Sequence, residues 1–299
     1  MTENRFKEIL ERGLGASVSA LARLDGCDCV SKVYCAELAD GRRVFAKLSH
    51  ETTVGRTVAF LKVCPPTRLV SRLLVDPVFE EGEWAFAFEW RPAARIPVCR
   101  MNDRQFDSFR CELQAFYGLL QTAPDVGCER DGAGLHGEIV AYVRRHPLAR
   151  FVLSPLTAMC AESRVFSSDE PRAVIHGDFH SGNFGFSGDA LEAFYDFDLL
   201  RRGSPLEDLA FLMTEEVKRG IGANDFRRLV ARSRQLMAES GRPLAAWRVA
   251  LNQARLWEAV KLVRRHPDRL RTSLNVARRD RRFVRLMRRL GIDGGNEAG

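Results

Sequence analysis

The spacing of hydrophobic positions along this chain changes character twice. Residues 3–13 carry Phe6, Ile9 and Leu10 at helical spacing ahead of Gly13 and Gly15, which predicts a short amphipathic helix. Alternating apolar and polar positions then predict strands over 18–24, 30–38 and 42–48, the last two joined by the turn Ala39-Asp40-Gly41. A helix over 53–63 turns Val54, Val58 and Leu61 inward, with Phe60 a further candidate, and stops before Pro65-Pro66. Two more strands, 73–79 and 84–90, flank the acidic turn Glu80-Glu81-Gly82-Glu83. From Asn102 the period becomes helical, with Phe106, Phe109, Leu113, Phe116, Leu119 and Leu120 on one face and Asn102 or Asp103 as the cap. Further helices are expected over 135–145 and 151–163, then a strand-loop-strand element, then helix over 206–218 and most of the remaining chain. This predicts an α+β chain of two lobes: a small, mainly antiparallel β lobe over 1–91 and a larger helical lobe over 92–299.

Composition narrows the class without changing that outline. The chain has 299 residues, 45% hydrophobic and 28% charged, enough to bury a sizeable core and typical of a globular protein. No apolar run approaches a bilayer span, and the charged start Met1 to Glu8 has no apolar stretch behind it. A cytoplasmic location and no transmembrane segment are therefore expected. The eight cysteines are scattered, and Cys27 and Cys29 have no matching pair nearby, so reduced thiols are expected rather than a disulfide framework or a zinc site. The net charge of +7 is unevenly spread. From Arg242 onward there are 15 Lys and Arg against 5 Asp and Glu, whereas the first 241 residues are net negative. Arg278, Arg279, Arg281, Arg282, Arg285, Arg288 and Arg289 surround the stripe Phe283, Leu286, Leu290, which reads first as a solvated helix face and second as a weak contact for an anionic surface. The interleaved aromatics of a nucleic-acid groove are missing, so no nucleic-acid partner is expected.

The densest chemistry lies in His176-Gly177-Asp178-Phe179-His180-Ser181-Gly182-Asn183, followed beyond a Gly188-Asp189 turn by Tyr195-Asp196-Phe197-Asp198. An Asp, an Asn five residues later and a second Asp past a hairpin form the set that kinase-type phosphoryl transfer needs. One carboxylate takes the acceptor hydroxyl's proton, and an amide oxygen with another carboxylate holds the metal on the nucleotide phosphates. Earlier, Val44-Phe45-Ala46-Lys47-Leu48 places a lysine in an apolar strand, where it needs an anionic partner such as those phosphates. The preceding loop, residues 25–32, is where a phosphate cover belongs; it has one glycine, and Ser31 is its candidate contact. Glu89 and Trp90 end the fifth strand, where exposed backbone can meet a nucleotide base.

Together these residues resemble the aminoglycoside phosphotransferase and choline kinase superfamily of protein-kinase-like folds. The segment His176 to Asn183 is similar to its catalytic loop, Tyr195 to Asp198 to its metal segment, and Asp208-Leu209-Ala210 to its downstream Asp-Leu-Ala. The resemblance implies a two-lobe kinase-like fold and an ATP- and Mg2+-dependent enzyme that phosphorylates a small-molecule hydroxyl. It makes Asp178 the base, Asn183 and Asp196 the metal ligands, Lys47 the phosphate contact, and His176 and Asp208 structural supports of the loop. One position departs from the family's pattern. The helix glutamate that usually pairs with the strand lysine is replaced by Thr57, and Glu51 is the only nearby carboxylate.

The basic C-terminal half favours a neutral or anionic acceptor, such as a sugar, a sugar phosphate or a glycolipid precursor. A kinase of cationic acceptors stands beside that reading. So does a pseudokinase, on the ground of the missing glutamate, and a protein kinase of atypical type. The twelve residues from Asp196 to Asp208 leave little room for the activation segment a protein kinase carries.

Overall fold

The computed structural model describes residues 1–24, 31–49, 54–124, 132–146, 172–218, 220–265 and 270–292, together with residues 149, 153 and 156. Residues 25–30 of the expected phosphate loop, Glu51, and all of the helix expected over 151–163 except Leu153 and Leu156 lie outside the described residues. The class is α+β as expected, with a small antiparallel sheet in the N-terminal part and helices dominating the C-terminal part. Two compact units are formed: residues 1–95, 107–126 and 183–200 make the first, and 96–106, 127–182 and 201–299 the second.

In the first unit, strands β1 (Val18–Arg23), β2 (Lys32–Leu38), β3 (Arg43–Ser49), β4 (Leu73–Glu80) and β5 (Glu83–Glu89) form one antiparallel sheet in the order β1-β2-β3-β5-β4. Helix α1 (Glu3–Leu14) begins at Thr2, whose hydroxyl accepts from the Arg5 amide, and ends at Gly15, which takes the left-handed φ of 62° that a side chain disfavours. It lays Phe6, Ile9 and Leu10 against Tyr34, Ala36, Leu38 and Val75, so the alternation read from the strands sets which face is covered. Strand β3 is paired on both sides, with Lys47 opposite Val33 of β2 and Phe86 of β5. Its backbone is therefore fixed.

The same unit holds helix α2 (Val54–Val63) and the hairpin of β7 (Phe184–Ser187) and β8 (Ala190–Phe194). The hairpin packs on helix α3 (Asp103–Leu120), whose residues from Asp107 belong to this unit. Phe116 stacks on Phe194 with ring centroids 3.8 Å apart, and Phe109 meets Phe184 at 5.1 Å. Segment 183–200, expected within the C-terminal lobe, thus clusters with the sheet.

In the second unit, β6 (Ala173–Ile175) pairs with β9 (Arg201–Gly203), and helices α4 (Gly132–Arg145), α5 (Pro205–Lys218), α6 (Ala223–Ser240), α7 (Leu244–Arg265) and α8 (Leu270–Leu290) surround one another. Helix α7 is buried nearly all round because α4, α5 and α8 each pack on it. Helix α5 starts with a capping box. The Ser204 hydroxyl accepts from the Leu206 amide at 3.2 Å, Pro205 occupies the first turn, and Glu207 accepts the Ser204 amide at 2.9 Å. Ser204→Ala is expected to lower stability by about 1 kcal/mol, read from the urea unfolding midpoint, since a buried amide loses its acceptor.

The last helix keeps much of the expected solvated face, with Arg278, Arg281, Arg285, Arg288 and Arg289 exposed, while other basic groups of the tail have partners. Arg255 pairs with Asp280, Arg264 with Glu138, and Arg279 with Glu258, while Arg282 donates to the Lys218 carbonyl and Arg285 lies over the Phe226 ring. Among the described residues Cys35, Cys64, Cys99 and Cys111 are free thiols. No described helix is long and apolar enough to cross a membrane.

Candidate active site

The first unit gathers Lys47, Thr57, Asn183, Asp196 and Asp198. The hairpin register places Phe184 opposite Phe194, and the Tyr195 amide donates to the Asn183 carbonyl at 2.8 Å. The hairpin base therefore brings the two candidate metal ligands to neighbouring chain segments. Asp196 has a left-handed φ of 60°, an uncommon conformation for a residue with a side chain and one that tends to persist at functional positions. Lys47, on the opposite side in sequence, donates from Nζ to Asp196 Oδ1 at 3.1 Å and to Asp198 Oδ2.

The sequence leaves open which group positions Lys47, and the structure supplies it. Thr57 stands where a glutamate was sought, and its hydroxyl donates to Asp198 Oδ1 at 2.7 Å, so the anion for Lys47 comes from the metal segment. Burial alone would push the Lys47 ammonium down, but Asp196 and Asp198 outweigh it and hold the group above the usual lysine range. Burial pushes the Asp198 carboxyl up, with Lys47 opposing and Asp196 adding to it. One cation against two carboxylates leaves the spot net negative, which suits a divalent ion.

Among the described residues no group of three or more His, Cys, Asp or Glu forms a metal cage. A magnesium ion held by one carboxylate, one amide and nucleotide phosphates needs none. The Asp196 side chain is 34% exposed and free to reach such an ion, whereas Asp198 is 9% exposed with both oxygens engaged.

The other nucleotide candidates lie along the same sheet. The Ser31 hydroxyl bonds to Ser49 Oγ at 2.9 Å, buried between neighbouring segments. The Glu89 carboxylate is held by Arg91 at 2.8 Å, and the Glu89 amide donates to the Arg72 carbonyl. The Trp90 ring sits 6.5 Å from that of Phe45. Phe45 is two residues before Lys47 and so shares its face of β3, a placement that the period of two in a strand carries in the sequence itself.

The second unit holds the loop with Asp178. Asp208, buried in the first turn of α5, accepts the His176 amide at 2.7 Å and the Gly177 amide at 2.8 Å. Gly177 takes a φ of 80°, which explains the glycine between His176 and Asp178. The Gly182 amide donates to His180 Nδ1 at 3.0 Å, and His180 Nε2 lies 3.5 Å from Asp178 Oδ2. A Cβ on Gly182 would lie 2.7 Å from the His180 ring, so this glycine too is dictated by the loop. Burial would raise the Asp178 carboxyl; His180 through its hydrogen bond and charge, then Lys261 and His176, outweigh that and hold it well below the usual carboxylate range.

The phosphotransferase enzyme family matches residues 129–239, a stretch that includes His176, Asp178, Asn183, Asp196 and Asp208. Solved structures match over nearly the whole chain. Aminoglycoside phosphotransferase APH(4)-Ia superposes with a TM-score of 0.65 at 12% identity, over 99% of this chain and 100% of that one. The chain has the aminoglycoside phosphotransferase fold. The gentamicin complex of APH(2")-IIa gives a TM-score of 0.63 at 11% identity over 97% and 96% of the two chains. The amicoumacin kinase hAmiN in complex with AMP-PNP, Ca2+ and Ami gives 0.59 at 15% identity over 99% and 98%. No curated protein matches. The resemblance first read from His176 to Asn183 is thus met by a family match over residues 129–239 and by the phosphotransferase fold.

Proposed function

We propose that the chain transfers the γ-phosphate of ATP to a hydroxyl of a small molecule. The observation that supports this most is the contact of Lys47 with Asp196 across 149 residues of sequence, which joins the strand lysine to the candidate metal ligand. In this reading Lys47 steadies the nucleotide phosphates, and the Phe45 ring on the same strand face offers a surface for the base. Backbone at Glu89 and Trp90 borders that surface. Asn183 and Asp196 hold the magnesium ion, which when bound offsets charge on the transferring phosphate. Asp178 accepts the proton as the acceptor oxygen forms its bond to phosphorus and ADP leaves. His176 and Asp208 support the loop without touching substrate.

The acceptor proposed first is neutral or anionic, in keeping with the net charge of the C-terminal half. A cationic acceptor is the second reading; it is supported by the gentamicin complex of APH(2")-IIa, a protein of the same fold. Incubating the protein with ATP and Mg2+ against sugars, sugar phosphates, aminoglycosides and choline should give phosphate transfer to a hydroxyl of one class only. The absence of any transfer, together with no Mg2+-dependent thermal shift by ATP, would overturn the proposal.

A further inference from the structure

In kinase-type folds the strand lysine is held by a glutamate on the following helix, and that ion pair reports that the helix is in place. This chain has no carboxylate at the corresponding point of α2, yet Lys47 is buried and doubly paired. Resting on the phosphotransferase reading above, we propose that Thr57 and Asp198 together replace the helix glutamate: Thr57 positions Asp198, and Asp198 positions Lys47.

Three observations carry this division of labour. First, the two oxygens of Asp198 are separately engaged, Oδ1 accepting from the Thr57 hydroxyl at 2.7 Å and Oδ2 from Lys47 Nζ. A carboxylate gripped at both oxygens and almost fully buried is poorly placed to change partners, whereas Asp196 is a third exposed and has the open side a metal ligand needs. When Asp196 turns to a metal, Asp198 stays as the anchor of Lys47. Second, α2 grips the segment after Asp196 at points other than Thr57. The Phe60 ring lies 5.0 Å from that of Phe197, and Arg56 donates to the Leu200 carbonyl at 3.4 Å. Residues 56, 57 and 60 form one helix face, so a shift of α2 would move Asp198 with it. Third, β3 is locked between β2 and β5, so the position of the ammonium is decided at the tip of the side chain.

The dependence on a docked helix is therefore kept while the charge has moved. In the usual arrangement the helix contributes the carboxylate directly; here it contributes a hydroxyl, and the carboxylate comes from two residues past the candidate metal ligand. One element thereby fixes both the lysine and the metal segment. Thr57 and Asp198 are positioning residues in this scheme, since neither touches nucleotide.

The test uses the full chain and four variants. Asp198→Asn should lower kcat/KM for ATP about 100-fold, the scale expected when a phosphate-positioning group is misplaced by about 1 Å. Thr57→Val, which keeps the shape and removes the hydroxyl, should lower it about 10-fold, equivalent to one lost hydrogen bond to a charged group. Thr57→Ser should recover most of what Thr57→Val loses. The exchange variant Thr57→Glu with Asp198→Thr, which returns the carboxylate to the helix, should exceed Asp198→Asn about 10-fold or more. Unchanged kinetics in Asp198→Asn, or Thr57→Ser no better than Thr57→Val, would overturn the proposal, and the latter comparison holds even where the exchange variant does not fold.

A second readout needs no nucleotide. In a double-mutant cycle of thermal unfolding, Thr57→Val and Asp198→Asn should be clearly non-additive, because they break one chain of contacts. Additivity would refute the linkage. If the parent protein neither binds ATP nor transfers phosphate while the cycle is still non-additive, the phosphotransferase reading fails and the Thr57–Asp198 linkage stands as a purely structural one.

Discussion

Asp178→Asn should lower kcat by about 10²–10⁴-fold, the usual contribution of a general base, while ATP affinity stays close to that of the parent protein. The amide has the shape of the carboxylate and can still meet His180 Nε2, which lies 3.5 Å from Asp178 Oδ2, so the loop is preserved. What it lacks is the capacity to take a proton. The same environment fixes the pH dependence. Because His180, Lys261 and His176 outweigh burial and depress the Asp178 carboxyl below its ordinary value of 3.8, the base is ionised throughout the range above about pH 5. The acidic limb of kcat/KM should therefore not come from Asp178. Stability responds in the same direction: a depressed carboxyl contributes fully above its unfolded pKa and loses that contribution as pH falls through its folded one. Initial rates across pH 5–9 on both proteins check this. A parent-protein limb near pH 6 that vanishes in Asp178→Asn, or a variant within about threefold of the parent, would contradict the assignment.

Asp208→Ala is expected to have the largest effect on stability, about 3 kcal/mol or more, because it strips the acceptor from two buried amides at once. His176 and Gly177 donate to its two oxygens at 2.7 and 2.8 Å, and the carboxylate is 1% exposed, so water does not readily replace it. Asp208→Asn should fall between the two, since its oxygen still accepts one amide while its NH2 group faces the other donor. Urea unfolding midpoints of the three proteins give the order directly. A loss below about 1 kcal/mol for the alanine variant would show that Asp208 does not brace the loop. The two variants also separate roles: Asp178→Asn should lower the rate far more than its loss of charge pairing lowers the midpoint, and Asp208→Ala should lower midpoint and rate together.

Much of this arrangement is legible in the order of residues. The period-two runs locate the five sheet strands, because burial of one face requires alternation. The loop composition is similarly informative. Gly177 needs a left-handed backbone, Gly182 lies against the His180 ring, and Asp208 comes four residues after the capping serine of its helix, so these positions have a local physical reason. What local pattern does not carry is pairing across long separations. Thr57 in place of a glutamate reads as a loss when only the helix is considered. Its meaning appears once α2 is seen to pack on residues 197–200, which lie about 140 residues on in the chain.

The basic tail shows the same division from the other side. Its arginines read as a solvated face, and on the last helix Arg278, Arg281, Arg288 and Arg289 are exposed. What sequence does not report is partners: folding brings Asp280 to Arg255, Glu138 to Arg264, Glu258 to Arg279 and the Phe226 ring to Arg285, as α7 is enclosed by α4, α5 and α8. By itself the sequence determined the α+β class, the lysine in an apolar strand, and the run His176 to Asn183 followed past a hairpin by two aspartates, since these depend on periodicity and on residue types at short spacing. Only the tertiary structure decided which carboxylate holds Lys47 and which of the two aspartates is left open to a metal. Those depend on where a helix face and a hairpin base meet, and no short stretch of the chain encodes that.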